Sequence, residues 1–175
     1  MVDLSLQMFF PTFVCVAIVF ILFWKYVKKI LPVSKRVPVI EGVKNYRRLH
    51  RINSHFWGIF SCFVVQILVY SIAPQFLFIF FPVDHLQHPV ILGIGVLLLK
   101  FSLGIILIAQ IQIDQKLTQI TKENDQTILF KSLRRFEGLL ISGMMLIFIG
   151  FSITIPSLFS LTLVIIGFYI YNKTI

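Results

Sequence analysis

The chain has 175 residues, of which 58% are hydrophobic, 15% aromatic and only 13% charged. In soluble domains about a quarter of the residues are charged, so this composition excludes an ordinary soluble domain and indicates a membrane protein. The formal net charge is +9, and because the basic residues flank apolar runs they indicate membrane orientation and contact with anionic lipid headgroups, with no nucleic-acid partner.

Five apolar runs in chain order predict a single all-α integral membrane domain over residues 1–175. A helix needs about 20 mostly apolar residues to cross the hydrocarbon core. Pro74 ends or kinks the second run, and the short segment 74–82 either extends that helix or lies in the interface. Four spans would remain if residues 139–175 did not form a spanning hairpin. The expected spans are 9–30, 54–73, 89–112, 138–155 and 157–172.

The distribution of basic residues predicts the orientation. Residues 25–51 hold nine Lys or Arg and one acid, and the polar stretch 114–137 is expected to extend the third span as a helix ending at Asn124 and Asp125. The positive-inside rule places both segments in the cytoplasm, with the N-terminus outside and the C-terminus inside, in an inner or plasma cell membrane. A basic rim on this side is a candidate contact for anionic headgroups or an acidic partner: Arg47, Arg48, Arg51, Arg134 and Arg135.

Lys100 lies in the middle of the third span, about 17 Å from Pro89 at 1.5 Å per residue. A cation at that depth costs roughly 3 kcal/mol or more unless it is solvated or paired. Gly93 and Gly104 fall on the same stripe of the helix, so we expect this stripe to face protein.

Gln66 of the second span has the depth predicted for Lys100, and Cys62 shares its stripe. An amide can accept a hydrogen bond from an ammonium group but cannot neutralise it, and no acid of the chain is predicted at that depth. Three explanations for Lys100 stay open, beside a lysine with no specific role. It is deprotonated, it reaches a water-filled cavity, or its counter-charge belongs to a partner subunit, a lipid headgroup or an anionic ligand.

The fourth span carries small residues at a spacing of about four, a pattern typical of close helix packing in membranes. The stripe does not identify its partner, which is the fifth span, the third span or another protein. These candidate packing residues are Gly138, Ser142, Gly143 and Gly150.

Histidines and cysteines predict neither a metal site nor a bound cofactor. His50 and His55 are expected on one side of the membrane and His85 and His88 on the other, so the pairs cannot share an ion. The two cysteines lie in apolar runs without a partner motif and are expected to be small packing residues.

The order of segments is similar to that of the isoprenylcysteine carboxyl methyltransferases: five spans, a long polar cytoplasmic stretch after the third, a basic cluster and a short closing hairpin. In that family the basic cluster is an Arg-His-Pro motif, whereas this chain has LRRFEGLL at residues 133–140 and ends in NKTI without acidic residues. The resemblance covers topology and not catalytic residues. It implies a membrane enzyme acting on a lipidic substrate at the cytoplasmic face as an alternative function, with Arg134, Arg135 and Glu137 near the headgroup or cofactor.

The leading functional hypothesis is a non-catalytic membrane subunit that packs laterally and stabilises the other subunits of a complex. It depends on the unpaired cation, the small-residue stripes and the absence of P-loop, GxSxG, HExxH and GxGxxG motifs from the sequence. A further alternative is an oligomeric channel or carrier that uses Lys100 and Gln66.

Overall fold

The computed structural model describes residues 4–30, 54–83, 88–122 and 126–174. Within these ranges every regular element is helical. Six α-helices and one 3₁₀ helix occur in this order: α1 (Leu4–Leu22), α2 (Trp24–Ile30), α3 (Ser54–Ile72), the 3₁₀ helix (Pro74–Phe80), α4 (Pro89–Lys122), α5 (Gln126–Thr154) and α6 (Leu158–Thr174).

Four of these helices contain a segment long and apolar enough to cross a membrane, which confirms the all-helical membrane class. The fifth predicted span corresponds to α6, whose apolar part, Leu158–Asn172, is shorter than the other four. The four candidate spans are Ser5–Leu22, Ser54–Ile72, Pro89–Leu117 and Leu133–Thr154.

Helix boundaries follow the proline and polar signals closely. α3 ends before Pro74, which has no N–H to continue the hydrogen-bond ladder. α4 begins at Pro89, where the Nδ1 atom of His88 accepts a hydrogen bond from Val90 N at 3.3 Å. It then continues as one helix to Lys122, so the predicted extension of the third span is confirmed, and the predicted end at residues 124–125 lies outside the described residues.

The first predicted span, 9–30, consists of two helices. The helical pattern is interrupted at Phe23, whose carbonyl oxygen accepts hydrogen bonds from Tyr26 N at 2.9 Å and Val27 N at 3.2 Å. The apolar span ends at Leu22, and α2 begins at Trp24. The sequence did not signal this break because no proline or glycine occurs there.

The antiparallel pair α4 and α5 is the most extensive helix contact, and glycines determine its spacing. A Cβ atom at Gly95 would lie 2.5 Å from Thr154 Cγ2, and one at Gly150 would lie 2.8 Å from Leu99. A Cβ atom at Gly143 would lie 2.8 Å from Ile106 Cγ1. Each step forward along α4 (95, 99, 106) matches an equal step back along α5 (154, 150, 143). The two backbones therefore run side by side at a distance that side chains would not permit.

Phenylalanine rings fill the space between α5 and the helices α1 and α3. Phe63 stacks on Phe148 with ring centroids 5.1 Å apart, and Phe56 lies 5.0 Å from the same ring. Phe13 of α1 meets Phe151 edge-to-face at 5.7 Å. These offset and edge-to-face arrangements are the favourable geometries for aromatic pairs, and they make α5 the central helix of the bundle.

One end of the bundle is closed by contacts between the segment after the 3₁₀ helix and the α5–α6 turn. Val83 N donates to Pro156 O at 3.0 Å, and Leu158 N donates to the carbonyl oxygen of Phe81 at 3.1 Å. Phe81 has a left-handed backbone with φ of 53°, which ends the 3₁₀ helix and turns the chain toward this contact. The segment 74–82 is therefore a separate element, and none of the 3₁₀ helix residues is buried.

Candidate functional site

The outward side of α4 is a continuous exposed apolar face with a cation at its middle. Val90, Ile94, Leu97 and Ile108 are exposed large hydrophobic residues. Lys100 is exposed on the same side. Their spacing of three and four residues keeps them on one side of a helix for about 27 Å at 1.5 Å per residue. We call this surface, residues 90, 93, 94, 97, 100, 101, 104 and 108, the outer face of α4.

Lys100 has no partner in the described part of the chain. No residue whose side chain the structure describes forms a hydrogen bond or an ion pair with it. Lys100, Gly93 and Gly104 are exposed because α5 packs on the opposite side of α4, where Leu99 and Ile106 are fully buried. The expectation that their stripe faces protein therefore stays a prediction, and it concerns protein outside the described residues.

Gly93 and Gly104 lie open on the outer face. A Cβ atom built at either position would have no heavy atom within 4 Å, whereas one at Gly95 would collide with Thr154. Helix α4 thus carries glycines on both sides. Gly95 is closely packed against α5, whereas Gly93 and Gly104 have no close neighbour in the described residues. The glycines beside Lys100 leave room for a further helix backbone to approach.

Gln66 does not meet Lys100. Its side chain is 1% exposed, and its Nε2 atom donates a hydrogen bond to Ser157 Oγ at 2.9 Å, while its Oε1 atom has no partner in the described residues. Ser157 belongs to the turn between α5 and α6. The equal depth of Gln66 and Lys100 stays a prediction.

Ser157 and Ser160 build a reciprocal cap at the start of α6. Ser160 N donates to Ser157 Oγ at 3.0 Å, and Ser157 N donates to Ser160 Oγ at 3.2 Å. Together with Gln66 they form a buried polar cluster that ties α3 to the α5–α6 turn. This cluster has the form of a helix N-terminal capping box and serves the fold.

A second buried polar contact joins α2 to α4 at the opposite end of the bundle. Trp24 Nε1 donates a hydrogen bond to Asp114 Oδ2 at 2.7 Å, and both residues are buried. One helical turn away, Gln110 Nε2 donates to the carbonyl oxygen of Phe20 at 3.4 Å. Trp24 is the first residue of α2 and directly follows the break at Phe23.

The small residues of the fourth span contact two helices. Gly143 and Gly150 accommodate α4, as described above. Ser142 Oγ lies 2.8 Å from the Tyr171 hydroxyl oxygen of α6 and also donates to Gly138 O at 2.9 Å. A Cβ atom at Gly138 would meet nothing within 4 Å. Ser142, Gly143 and Gly150 therefore contact two neighbouring helices of this chain, whereas Gly138 faces open space.

The remaining predicted site residues are separate from Lys100. Cys62 is half-buried beside the apolar core of α3. Arg134 and Arg135 are exposed near the start of the apolar part of α5, while Arg47, Arg48 and Arg51 lie outside the described residues. His55 and His88 are exposed, and residues 50 and 85 are not among those described. Within the described ranges no group of three metal-ligating side chains occurs.

Comparison with known proteins found no match to a family model, to a curated protein or to a solved structure.

Proposed function

We propose that this protein is a non-catalytic subunit of a membrane protein complex, which packs laterally against other subunits through the outer face of α4. The observation that carries the proposal is the exposure of Lys100 at the middle of an otherwise apolar face, without a partner in the described residues. A charged side chain facing hydrocarbon at this depth is costly, and the cost falls when a partner protein supplies a group that pairs with the charge.

The basic loops orient the subunit in this proposal. Loop 25–51 and the stretch 114–137 lie in the cytoplasm, where Arg134 and Arg135 contact anionic headgroups, and the α5–α6 turn lies on the outer side. The exposure of both arginines near the start of the apolar part of α5 supports this orientation. The membrane is the inner or plasma cell membrane.

The rest of the bundle supports a structural role. Two buried polar pairs, Gln66 with Ser157 and Trp24 with Asp114, join different elements of the bundle. Since Gln66 is engaged with Ser157, the pair of Lys100 and Gln66 does not favour a conducting path within one chain. Lys100, on the outer face of α4, forms no hydrogen bond or ion pair with a described residue.

The test is purification in mild detergent from cells that express the chain at native abundance. We expect a species larger than one chain that contains at least one other membrane protein in a fixed ratio. A monodisperse monomer without a co-purifying protein, under conditions that preserve known membrane complexes of the same cells, would contradict the proposal.

A further inference from the structure

We infer that the occupant of the outer face of α4 is a single transmembrane helix of a different protein, which carries one aspartate or glutamate at the depth of Lys100. This inference rests on the proposed function and adds the chemistry of the partner. It is carried by three features that coincide on one face: an unpaired cation, two open glycines and an exposed apolar surface of membrane-spanning length.

The geometry of the face fits one helix. Gly93, Leu97, Lys100, Gly104 and Ile108 follow one another at spacings of four, three, four and four residues, and every one of them is exposed. Such spacing forms a narrow seam that a second helix can follow at a small crossing angle. Gly104 lies one turn from Lys100 and Gly93 two turns away on the other side, so the partner backbone can approach closely on both sides of the charge.

The charge of Lys100 selects the partner's chemistry. A neutral acceptor would satisfy hydrogen bonds of the ammonium group but leave its charge inside the membrane, whereas a carboxylate neutralises it. The attraction between opposite charges is strong in a medium of low dielectric constant. A carboxylate at the matching depth is therefore the complement that removes the cost of the lysine.

A lipid headgroup does not fit this position. Lys100 is about 17 Å along α4 from Pro89, and Asp114 at the other boundary is about 21 Å away at 1.5 Å per residue. A lysine side chain extends its ammonium group by roughly 6 Å, which brings snorkelling residues to the interface only near helix ends. The cation therefore stays well below the phosphates.

A second copy of this chain does not fit either. Copies inserted in the same orientation and related by a two-fold axis would bring the Lys100 ammonium group of one copy against that of the other. Like charges repel strongly at low dielectric constant, so the face that suits a carboxylate opposes self-association.

The experiment uses the full chain in phosphatidylcholine vesicles with a fluorescent donor, and synthetic transmembrane peptides with an acceptor. The peptides are Leu/Ala helices with uncharged polar ends that differ only at the central residue, which is Asp, Asn or Leu. We expect the Asp peptide to bind about tenfold more tightly than the Leu peptide, with the Asn peptide between them. Lys100→Leu should remove the difference, and Lys100→Asp should transfer the preference to a peptide with a central lysine.

Glycine variants test the close approach with a matched control. Gly104→Leu fills the open side of Lys100 and should lower binding of the Asp peptide several-fold, because the partner backbone is pushed away. Gly58→Leu is the same change at an exposed glycine of α3. A Cβ atom at either position would have no neighbour within 4 Å, so we expect both variants to fold, which circular dichroism checks before binding is measured. Gly58→Leu should leave peptide binding unchanged.

Several results would overturn the inference. These are equal binding of the three peptides, an Asp preference that persists in Lys100→Leu, or equal effects of the two glycine variants. Loss of the Asp preference when phosphatidylglycerol replaces phosphatidylcholine would assign the counter-charge to a headgroup. Self-association of the wild-type chain that is weakened by Lys100→Leu would assign the face to a second copy.

The native complex separates this inference from the proposed function. A complex at native abundance that survives Lys100→Leu unchanged would contradict the carboxylate partner and leave the proposed function standing. Absence of any complex at native abundance would contradict the proposed function, whatever the peptides show.

Discussion

Both sides of helix α4 carry glycines and large apolar residues, but these residues are buried on one side and exposed on the other. On the side facing α5, Gly95 is closed by Thr154, and the leucine and isoleucine side chains are fully buried. On the outer side, Gly93 and Gly104 meet nothing, and the apolar side chains are exposed around a lysine. The inner side of α4 packs against α5, whereas the outer side is exposed.

The first prediction compares the effect of one added methyl group on each side of α4. Gly95→Ala places a Cβ atom 2.5 Å from Thr154 Cγ2 and 3.1 Å from Thr154 N, and a backbone nitrogen cannot move aside. We expect a loss of about 2 to 3 kcal/mol in the free energy of unfolding. Gly104→Ala is the matched control, and it should leave that free energy unchanged or raise it by up to about 1 kcal/mol through helix propensity. Unfolding by SDS in mixed micelles, followed by circular dichroism, measures both.

The second prediction concerns the buried contact between α2 and α4. Trp24→Phe keeps an aromatic ring but removes the indole donor from the buried Asp114 carboxylate, which should cost about 2 kcal/mol. Trp57→Phe is the control, because Trp57 is a half-buried tryptophan that meets Phe60 edge-to-face and forms no side-chain hydrogen bond with a described residue. The same SDS titration compares them, and equal losses for the two variants would show that the hydrogen bond contributes nothing.

The third prediction concerns the polar cluster at the α5–α6 turn. Ser157→Ala removes the acceptor used by Gln66 Nε2 and by Ser160 N, both of which are buried. Side-chain hydrogen bonds inside membranes average below 1 kcal/mol, so we expect a loss of about 1 kcal/mol. Thr162→Ala removes an exposed hydroxyl of α6 that bonds only its own helix at Leu158 O, and its unfolding midpoint in SDS should stay within error of the wild type.

The smallest expected effect on the isolated chain is that of Lys100→Leu. Lys100 is exposed and has no partner among the described side chains, so the free energy of unfolding should change by less than about 0.5 kcal/mol. The same variant should release the partner from the native complex, as measured by co-purification. A large loss of stability in the isolated chain would mean that Lys100 already has a counterpart within it, which would remove the contrast between the two sides of α4.

Several boundaries were predictable because the sequence carries local signals for them. Pro74 and Pro89 mark where α3 ends and α4 begins, since a residue without an N–H cannot continue a helix but can start one. The extension of α4 to Lys122 was predictable because polar helix formers follow the apolar run without a breaker. The break at Phe23 was not, because neither proline nor glycine marks it.

Contacts between distant residues were not predictable for a different reason. A helical wheel shows that Gly93, Lys100 and Gly104 share a side of α4, and it shows Gly95 on another side, but it does not say which of the two sides meets α5. The side with Gly95 packs against α5 because the two helix surfaces are complementary over their whole contact, with Gly143 opposite Ile106 and Gly150 opposite Leu99. Counting residues from the span ends likewise gave Gln66 and Lys100 the same depth, but it could not show that Gln66 forms its hydrogen bond with Ser157.

The all-helical class of this protein, the order of its helices and the lysine in the middle of an apolar span follow from local sequence signals, because hydrophobicity and helix-breaking residues act locally. Which side of α4 is buried, and that Lys100 lies on the other side, depends on how the helices pack. Small residues permit close packing on any side of a helix, and the side that is used depends on shape complementarity with a neighbour that no local pattern describes.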